Sequence, residues 1–191
     1  MTEGNGLGAP MSDEQIARAT IGVPTLLNSA VVLADPDPTW PSLYEREAAR
    51  IRSILEDRVL LLEHVGSTSV PDLVAKPIID LVLVVADSAN EASYVPALEA
   101  EGYVLRIREP EWFEHRLLKG PDTEINLHVF SDGAVEVARM ITFRDHLRGD
   151  IADRRRYAKV KQELAQQHWK YVQNYADAKS AIVAEIMERA L

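Results

Sequence analysis

The sequence predicts an α/β (α+β) protein, with a mixed β-sheet flanked by helices and a helical C-terminal part. Two apolar runs, at 59–65 and 78–85, are nearly continuous, which is typical of strands buried on both faces of a sheet. From about residue 134 onward, apolar residues recur at helical spacing instead. A chain of 191 residues, 47% hydrophobic and 27% charged, suits one globular domain with appended helices.

The elements of the first half follow from local patterns. Residues 30–34 are predicted to form a strand, because a β-branched run ends at a proline-rich turn. A helix is predicted from Pro41 to about residue 56, since proline favours the first helical turn. The strands at 59–65 and 78–85 come next, and a helix at 91–101 should end at Gly102.

The second half should contain a group of strands and then only helices. Loops that contain proline or Gly-Pro-Asp suit hairpins between strands. The predicted strands are 103–108, 112–118 and 124–130, and the predicted helices are 135–147, 151–167 and 170–190. Residues 1–29 are predicted to be an N-terminal extension, disordered in its Gly-rich first ten residues and with a short helix capped by Ser12. Residues 30–191 form the predicted domain, with C-terminal helices from about 134.

Composition excludes several classes of protein. The formal charge is −9, from 21 Lys+Arg and 30 Asp+Glu, which argues against a nucleic-acid partner because phosphate backbones are repelled. The absence of cysteine excludes thiolate zinc sites and cysteine nucleophiles. No apolar run reaches the length of a bilayer span, and the N-terminus lacks a basic flank followed by an apolar stretch. We therefore expect a cytoplasmic protein that does not bind membranes; no oligomeric state is predicted.

A small hydroxyl-rich loop lies between the two apolar strands. Gly66 permits any backbone turn, and Ser67, Thr68 and Ser69 offer hydroxyl and N–H groups in a short arc. Such an arc could hold a phosphate. The alternative is that these hydroxyls only cap a turn, as serine and threonine do in many loops.

Two charged residues follow the loop. Lys76 could contact a phosphate oxygen, and Asp80 lies in the middle of a strand whose other residues favour burial. A buried carboxylate costs several kcal/mol unless it is paired or binds a metal. Asp80 therefore either has a functional role or forms a salt bridge with Lys76.

These residues carry a family resemblance. The stretch HVGSTSVPDLVAKPIID resembles the hallmark of the GrpB family, and the match continues through NLHVF (126–130), FRDHLR (143–148), YAKVKQELA (157–165) and KYVQNYADAK (170–179). It covers the chain from about residue 30 onward. The resemblance implies a nucleotidyltransferase-like fold. A similar domain is also fused behind dephospho-coenzyme A kinase in some proteins.

The resemblance also implies a site. Polymerase-β-like nucleotidyltransferases bind the triphosphate with a Gly-Ser turn and hold two magnesium ions with carboxylates on neighbouring strands. Gly66, Ser67 and Asp80 match this pattern, but Val82 replaces the second carboxylate and His128 replaces the third. Asp80 and His128 are therefore the predicted catalytic residues. They could work as a carboxylate and imidazole pair or bind one divalent metal ion, Mg²⁺ or a transition metal.

The remaining candidates come from later segments. Glu114 and Arg116 share one face of a strand and His115 takes the other; if the first face lines the pocket, Arg116 clamps phosphate, and otherwise the two form an ion pair. Tyr175 and Lys179 fall in the family's Asn-Tyr-x-x-x-Lys pattern, and Lys161 could join them from the preceding helix. These groups would complete a site for a phosphorylated small molecule.

Three functions remain open. The first hypothesis is a nucleotidyltransferase-like domain whose pocket recognises a nucleotide or another phosphorylated metabolite. The second, favoured by Val82, is a non-catalytic binding or accessory module that lost the two-metal site. The third is acyl or amide chemistry on a small polar substrate through Asp80 and His128.

Overall fold

The structure, a computed structural model, describes residues 10–190 and contains a five-stranded mixed sheet flanked by helices. The order across the sheet is β1-β2-β5-β4-β3; β2 and β5 are parallel, and the other neighbours are antiparallel. The predicted fold class is therefore confirmed. The strands are β1 Leu61–Val65, β2 Ile79–Val85, β3 Val104–Glu109, β4 His115–Lys119 and β5 Ile125–Ser131.

Helices α1 and α2 precede the strands, α3 connects β2 to β3, and α4 to α7 follow the last strand. Ser12 caps the first helix and forms a capping box with Gln15, as its position in the sequence predicts. Among the described residues, no helix is long and apolar enough to cross a bilayer. The α-helices are α1 Asp13–Ala19, α2 Trp40–Leu55, α3 Val95–Ala100, α4 Val135–Gly149, α5 Ile151–Ala165, α6 Val172–Ala178 and α7 Ser180–Ala190.

Strand β2 is apolar except at Asp80, because both faces of the sheet are covered. Leu81 and Leu83 belong to a core cluster that includes Ile51 of α2. Val82 points to the other face, where it clusters with Val137 at the start of α4. Because both faces of the strand are buried, apolar and polar residues do not alternate along it as they do in a strand with one face in water.

Strand pairing brings distant polar residues to one face of the sheet. In the parallel pair, Asp80 aligns with Asn126, and Val82 aligns with His128. In the antiparallel pair of β4 and β5, Lys119 aligns with Asn126. Aligned residues point to the same face, so this second face carries Asp80, Asn126, His128 and Lys119 close to one another.

Several predicted elements differ from the structure. The predicted strand at 30–34 is wrong: this segment is extended but forms only an isolated bridge from Ala34 to Ala75 and a backbone hydrogen bond from Val31 to Ala165. Its partners lie in the loop before β2 and at the end of α5, and not in the sheet. The predicted strand at 112–118 begins only at His115, after a turn.

Two predicted helices are interrupted. The helix predicted at 91–101 is a short 3₁₀ turn, Glu91–Ser93, followed by α3. The helix predicted at 170–190 is two helices, α6 and α7, separated at Lys179. The predicted disorder of the first residues falls on 1–9, outside the described residues.

Candidate functional site

The loop after β1 is held by its own hydroxyl groups. Gly66 has φ +69°, and Ser67–Ser69 form one 3₁₀ turn. Thr68 Oγ1 donates to the carbonyl of Ile78 at 3.1 Å and lies 3.0 Å from His64 Nε2, while Ser69 Oγ donates to the carbonyl of Gly66 at 2.6 Å. The hydroxyls of Thr68 and Ser69 are thus used inside the loop, as expected for a capped turn. The Ser67 hydroxyl instead contacts a lysine.

That lysine is Lys161 of α5. Its Nζ donates to Ser67 Oγ at 2.7 Å and to the carbonyl of Val74 at 2.6 Å. It is 2% exposed. Burial, and then the nearby Lys179 ammonium, lower the pKa of Lys161 to about 7. Helix α5 is therefore joined to the loop by a buried amine that is partly uncharged near neutral pH.

Two further lysines flank the ring of Tyr175 in α6. Lys179 Nζ lies 4.6 Å from the ring centroid, and Lys76 Nζ lies 5.9 Å from it. Burial, and then repulsion from Lys76, lower the pKa of Lys179 to about 8, and burial also lowers the pKa of Lys76. Tyr175 is 1% exposed, and its hydroxyl has no hydrogen-bond partner among the described residues.

Asp80 is the carboxylate that these lysines face. Its charge acts on the pKa values of Lys76, Lys161 and Lys179. Oδ1 accepts a hydrogen bond of 2.7 Å from Asn126 Nδ2, and His128 Nε2 lies 3.8 Å from the same oxygen. Burial opposes ionisation of Asp80, but His128, Asn126 and Lys76 outweigh it and hold its pKa below the ordinary value.

A second polar chain reaches the site from β4. His115 Nε2 lies 3.0 Å from His128 Nδ1, and the two rings are stacked with centroids 5.2 Å apart. His115 Nδ1 lies 2.7 Å from Glu109 Oε2. Burial lowers the pKa of His115 to about 4, so this imidazole is neutral at physiological pH. On the other side, Lys119 Nζ donates to Asn126 Oδ1 at 2.5 Å.

Most residues predicted for the site are brought together, but Arg116 is not. Arg116 aligns with Val129 on the opposite face of the sheet, where Nε donates to Glu91 Oε1 at 2.6 Å and Nη1 contacts Glu114 Oε2 at 3.3 Å. The interpretation of Arg116 as a phosphate clamp is therefore wrong, and the ion-pair alternative is correct. The residues around Asp80 are Gly66, Ser67, Lys76, His128, Lys161, Tyr175 and Lys179.

Sequence reasoning missed three polar residues near the predicted pair. Asn126 precedes His128 by two positions on β5, so strand alternation alone could have placed both on one face. His115 and Lys119 share a face of β4 in the same way. Only the register between β4 and β5 identifies this face as the one that carries Asp80, and that register is a tertiary property.

The metal-binding capacity of the site is limited. Asp80 Oδ1 and His128 Nε2 are two potential ligand atoms, 3.8 Å apart. Chemistry with two magnesium ions requires several carboxylates, and this pair supplies only one. In the part of the chain that the structure describes, one group of three, His146, Asp150 and Asp153, could gather ligand atoms within 4.8 Å. There, however, Arg189 already binds Asp153 with two hydrogen bonds of 2.6 and 2.9 Å.

Comparison with known proteins identifies relatives over nearly the whole chain. An UPF0157 protein of Halalkalibacterium halodurans is 60% identical over 181 residues, covering 95% of this chain and 93% of the relative. An UPF0157 protein of Streptomyces coelicolor is 45% identical over 170 residues, covering 89% and 88%. The crystal structure of the conserved protein GrpB from Enterococcus faecalis is similar with a TM-score of 0.73 and 33% identity, over 83% of this chain and 96% of that one.

The match to a protein family has the same extent. Residues 30–189 match the family described as "GrpB protein". The matched range contains the loop, the strands that carry Asp80 and His128, and the helices that carry Lys161 and Lys179. The chain therefore belongs to the GrpB family.

Proposed function

We propose that the polar groups of the 66–69 loop, Asp80 and the C-terminal helices form a site that binds a phosphorylated small molecule, with nucleotides among the candidates. The observation that carries this proposal is an excess of positive charge: Lys76, Lys161 and Lys179 surround a single carboxylate, Asp80. None of the three ammonium groups forms a salt bridge with a carboxylate within residues 10–190. Lys161 is buried with two neutral acceptors, Ser67 Oγ and the carbonyl of Val74, and Lys76 and Lys179 are half-buried. An anion would therefore relieve a desolvation cost that is already present.

A surplus of positive charge favours an anion with more than one negative charge, and a terminal phosphate monoester is such an anion. Burial, and then repulsion from a neighbouring lysine, lower the pKa values of Lys161 and Lys179. A bound anion would raise both pKa values.

Two neutral donors add to this arrangement. The Tyr175 hydroxyl is buried and lacks a partner among the described residues, so a ligand oxygen could accept its hydrogen. Ser67 Oγ accepts from Lys161, and its hydroxyl hydrogen lies near Tyr157, from which a ligand oxygen could attract it. Phosphate oxygens accept several hydrogen bonds, which suits a site with both kinds of donor.

Catalysis through Asp80 and His128 is a further part of the proposal. Their side chains lie close enough to act on one polar group of the ligand, as general base and orienting group, in acyl or in nucleotidyl transfer. With two protein donors, they could hold at most one divalent cation whose remaining ligands are water or phosphate. A non-catalytic binding module is the alternative, and it is supported by Val82, a fully buried apolar residue where nucleotidyltransferases carry a carboxylate.

The test of binding is a calorimetric titration with sulfate at low ionic strength. We expect Lys179→Met to weaken sulfate binding by about tenfold or more, since a charge-assisted hydrogen bond contributes about 1.5 to 3 kcal/mol. Lys159→Met, at a side chain 78% exposed on α5, is the matched control and should bind like the wild type. Sulfate binding that is equal in the wild type, Lys76→Met and Lys179→Met would exclude the proposed pocket.

A further inference from the structure

Glu109, His115 and His128 form a hydrogen-bonded chain that ends beside Asp80. The donor and the acceptor of each hydrogen bond in it can be assigned. A carboxylate can only accept, so the 2.7 Å contact between Glu109 Oε2 and His115 Nδ1 requires the hydrogen to be on Nδ1. His115 is 2% exposed, and burial favours the neutral ring, which has one hydrogen. Its Nε2 is then an acceptor.

The acceptor role of His115 Nε2 determines which nitrogen of His128 carries a hydrogen. His115 Nε2 and His128 Nδ1 are 3.0 Å apart, so one of them must donate to the other. Because His115 Nε2 is the acceptor, the hydrogen must be on His128 Nδ1. The other nitrogen of His128, Nε2, faces Asp80 at 3.8 Å.

We propose that Glu109 and His115 are positioning residues that fix the hydrogen of the neutral His128 ring on Nδ1. Nε2, the ring nitrogen on the side of Asp80, then carries the lone pair and accepts a hydrogen bond from the bound molecule. The functional consequence rests on the proposed function, but the tautomer is a property of the free protein.

The tautomer can be measured directly by nuclear magnetic resonance. In protein labelled with ¹⁵N, long-range proton–nitrogen spectra distinguish an imidazole nitrogen that carries hydrogen from one that does not. Spectra of His115→Gln and His128→Gln variants assign the two rings. At a pH where His128 is neutral, we expect hydrogen on Nδ1 and a free lone pair on Nε2. A His128 ring with hydrogen on Nε2 and none on Nδ1 in the wild type would overturn the proposal. If neither variant folds, sequential through-bond assignment identifies the His128 ring among the five histidines.

The role of Glu109 is tested by an isosteric change. In Glu109→Gln the amide can donate as well as accept, so the direction of the chain is no longer imposed. We expect a measurable population of the Nε2-hydrogen tautomer of His128 in this variant. Glu111→Gln, an exposed residue of the adjacent turn, removes the same charge and should leave the tautomer unchanged. An unaltered tautomer in folded Glu109→Gln would show that Glu109 does not position His128.

The proposed tautomer of His128 and the proposed anion site can be disproved independently of each other. Loss of sulfate binding in Lys179→Met would leave the tautomer of His128 unaffected. A wrong tautomer would leave sulfate binding intact, because Lys76, Lys161 and Lys179 belong to other segments of the chain than Glu109, His115 and His128.

Discussion

Gly66 and Asp80 are in such close contact that no side chain fits between them. A Cβ added to Gly66 would lie 2.3 Å from Asp80 Oδ2 and 2.9 Å from Asp80 Cβ. Gly66 also has φ 69° and ψ −173°, a backbone region essentially confined to glycine, in which other residues are strained by about 1 to 3 kcal/mol. The loop can therefore approach the carboxylate only because residue 66 is glycine.

We expect Gly66→Ala to destabilise the protein through two effects, backbone strain and the steric clash of the new Cβ with Asp80. Gly133→Ala is the matched control, since Gly133 has φ +78° and nothing within 4 Å of a new Cβ. Urea unfolding should show a loss of about 1 to 2 kcal/mol for Gly133→Ala and a clearly larger loss for Gly66→Ala. Equal losses would mean that Asp80 moves aside without cost.

Sulfate binding should weaken as the pH rises above neutral. The pKa of Lys161 is about 7 and that of Lys179 is about 8 in the free protein, so both lose charge in this range. A bound anion stabilises the ammonium forms and raises both pKa values, so protons are taken up on binding. Sulfate remains a dianion throughout. Calorimetry in two buffers of different ionisation enthalpy measures the uptake, and a pH-independent affinity with no uptake would contradict the assignment of these lysines.

Magnesium should not strengthen the binding of ATP. Two-metal chemistry requires several carboxylates, and β2 contains only one, Asp80, with Val82 two residues further on. Magnesium also neutralises part of the phosphate charge that the lysines would contact. We therefore expect ATP affinity to be unchanged or reduced by magnesium in calorimetric titrations. Tight, magnesium-dependent binding would show that carboxylates elsewhere complete the site and would favour nucleotidyl transfer.

Arg116→Met should affect stability and not ligand binding. The guanidinium is buried and bound to Glu91 and Glu114 on the face of the sheet away from Asp80. Loss of its charge-assisted hydrogen bonds should cost about 1.5 to 3 kcal/mol in urea unfolding. Sulfate affinity should stay within about twofold of the wild type, in contrast to Lys179→Met. A tenfold loss of affinity in a folded Arg116→Met protein would return this arginine to the site.

Local sequence patterns were sufficient to predict part of the secondary structure. The buried strands, α2 and the capping of α1 by Ser12 follow from apolar runs, proline and hydroxyl side chains. The error at 30–34 has a different origin: β-branched residues favour extended backbone, but only tertiary contacts decide whether such a segment pairs in a sheet. Here its partners are Ala75 and the end of α5.

The candidate site was predictable to the extent that it lies in contiguous motifs. The loop, Asp80 and Lys76 occur together in the sequence, and the strand of His128 is recognisable by its apolar pattern. The contribution of His115 depends on how β4 pairs with β5, which no local pattern determines. The break of the last helix at Lys179 was also missed, because helical spacing of apolar residues continues across it.

The placement of β2 beside β5 has a consequence for synthesis of the protein. The groups around Asp80 come from three widely separated segments, the last of which carries Lys161 and Lys179. A nascent chain that has reached Gly149 contains every strand but lacks both lysines. The sheet can therefore form before the proposed anion site is assembled, and an anion bound there would stabilise only chains that include Lys161 and Lys179. Ligand occupancy would thus distinguish molecules with these lysines from truncated ones that have folded only their sheet.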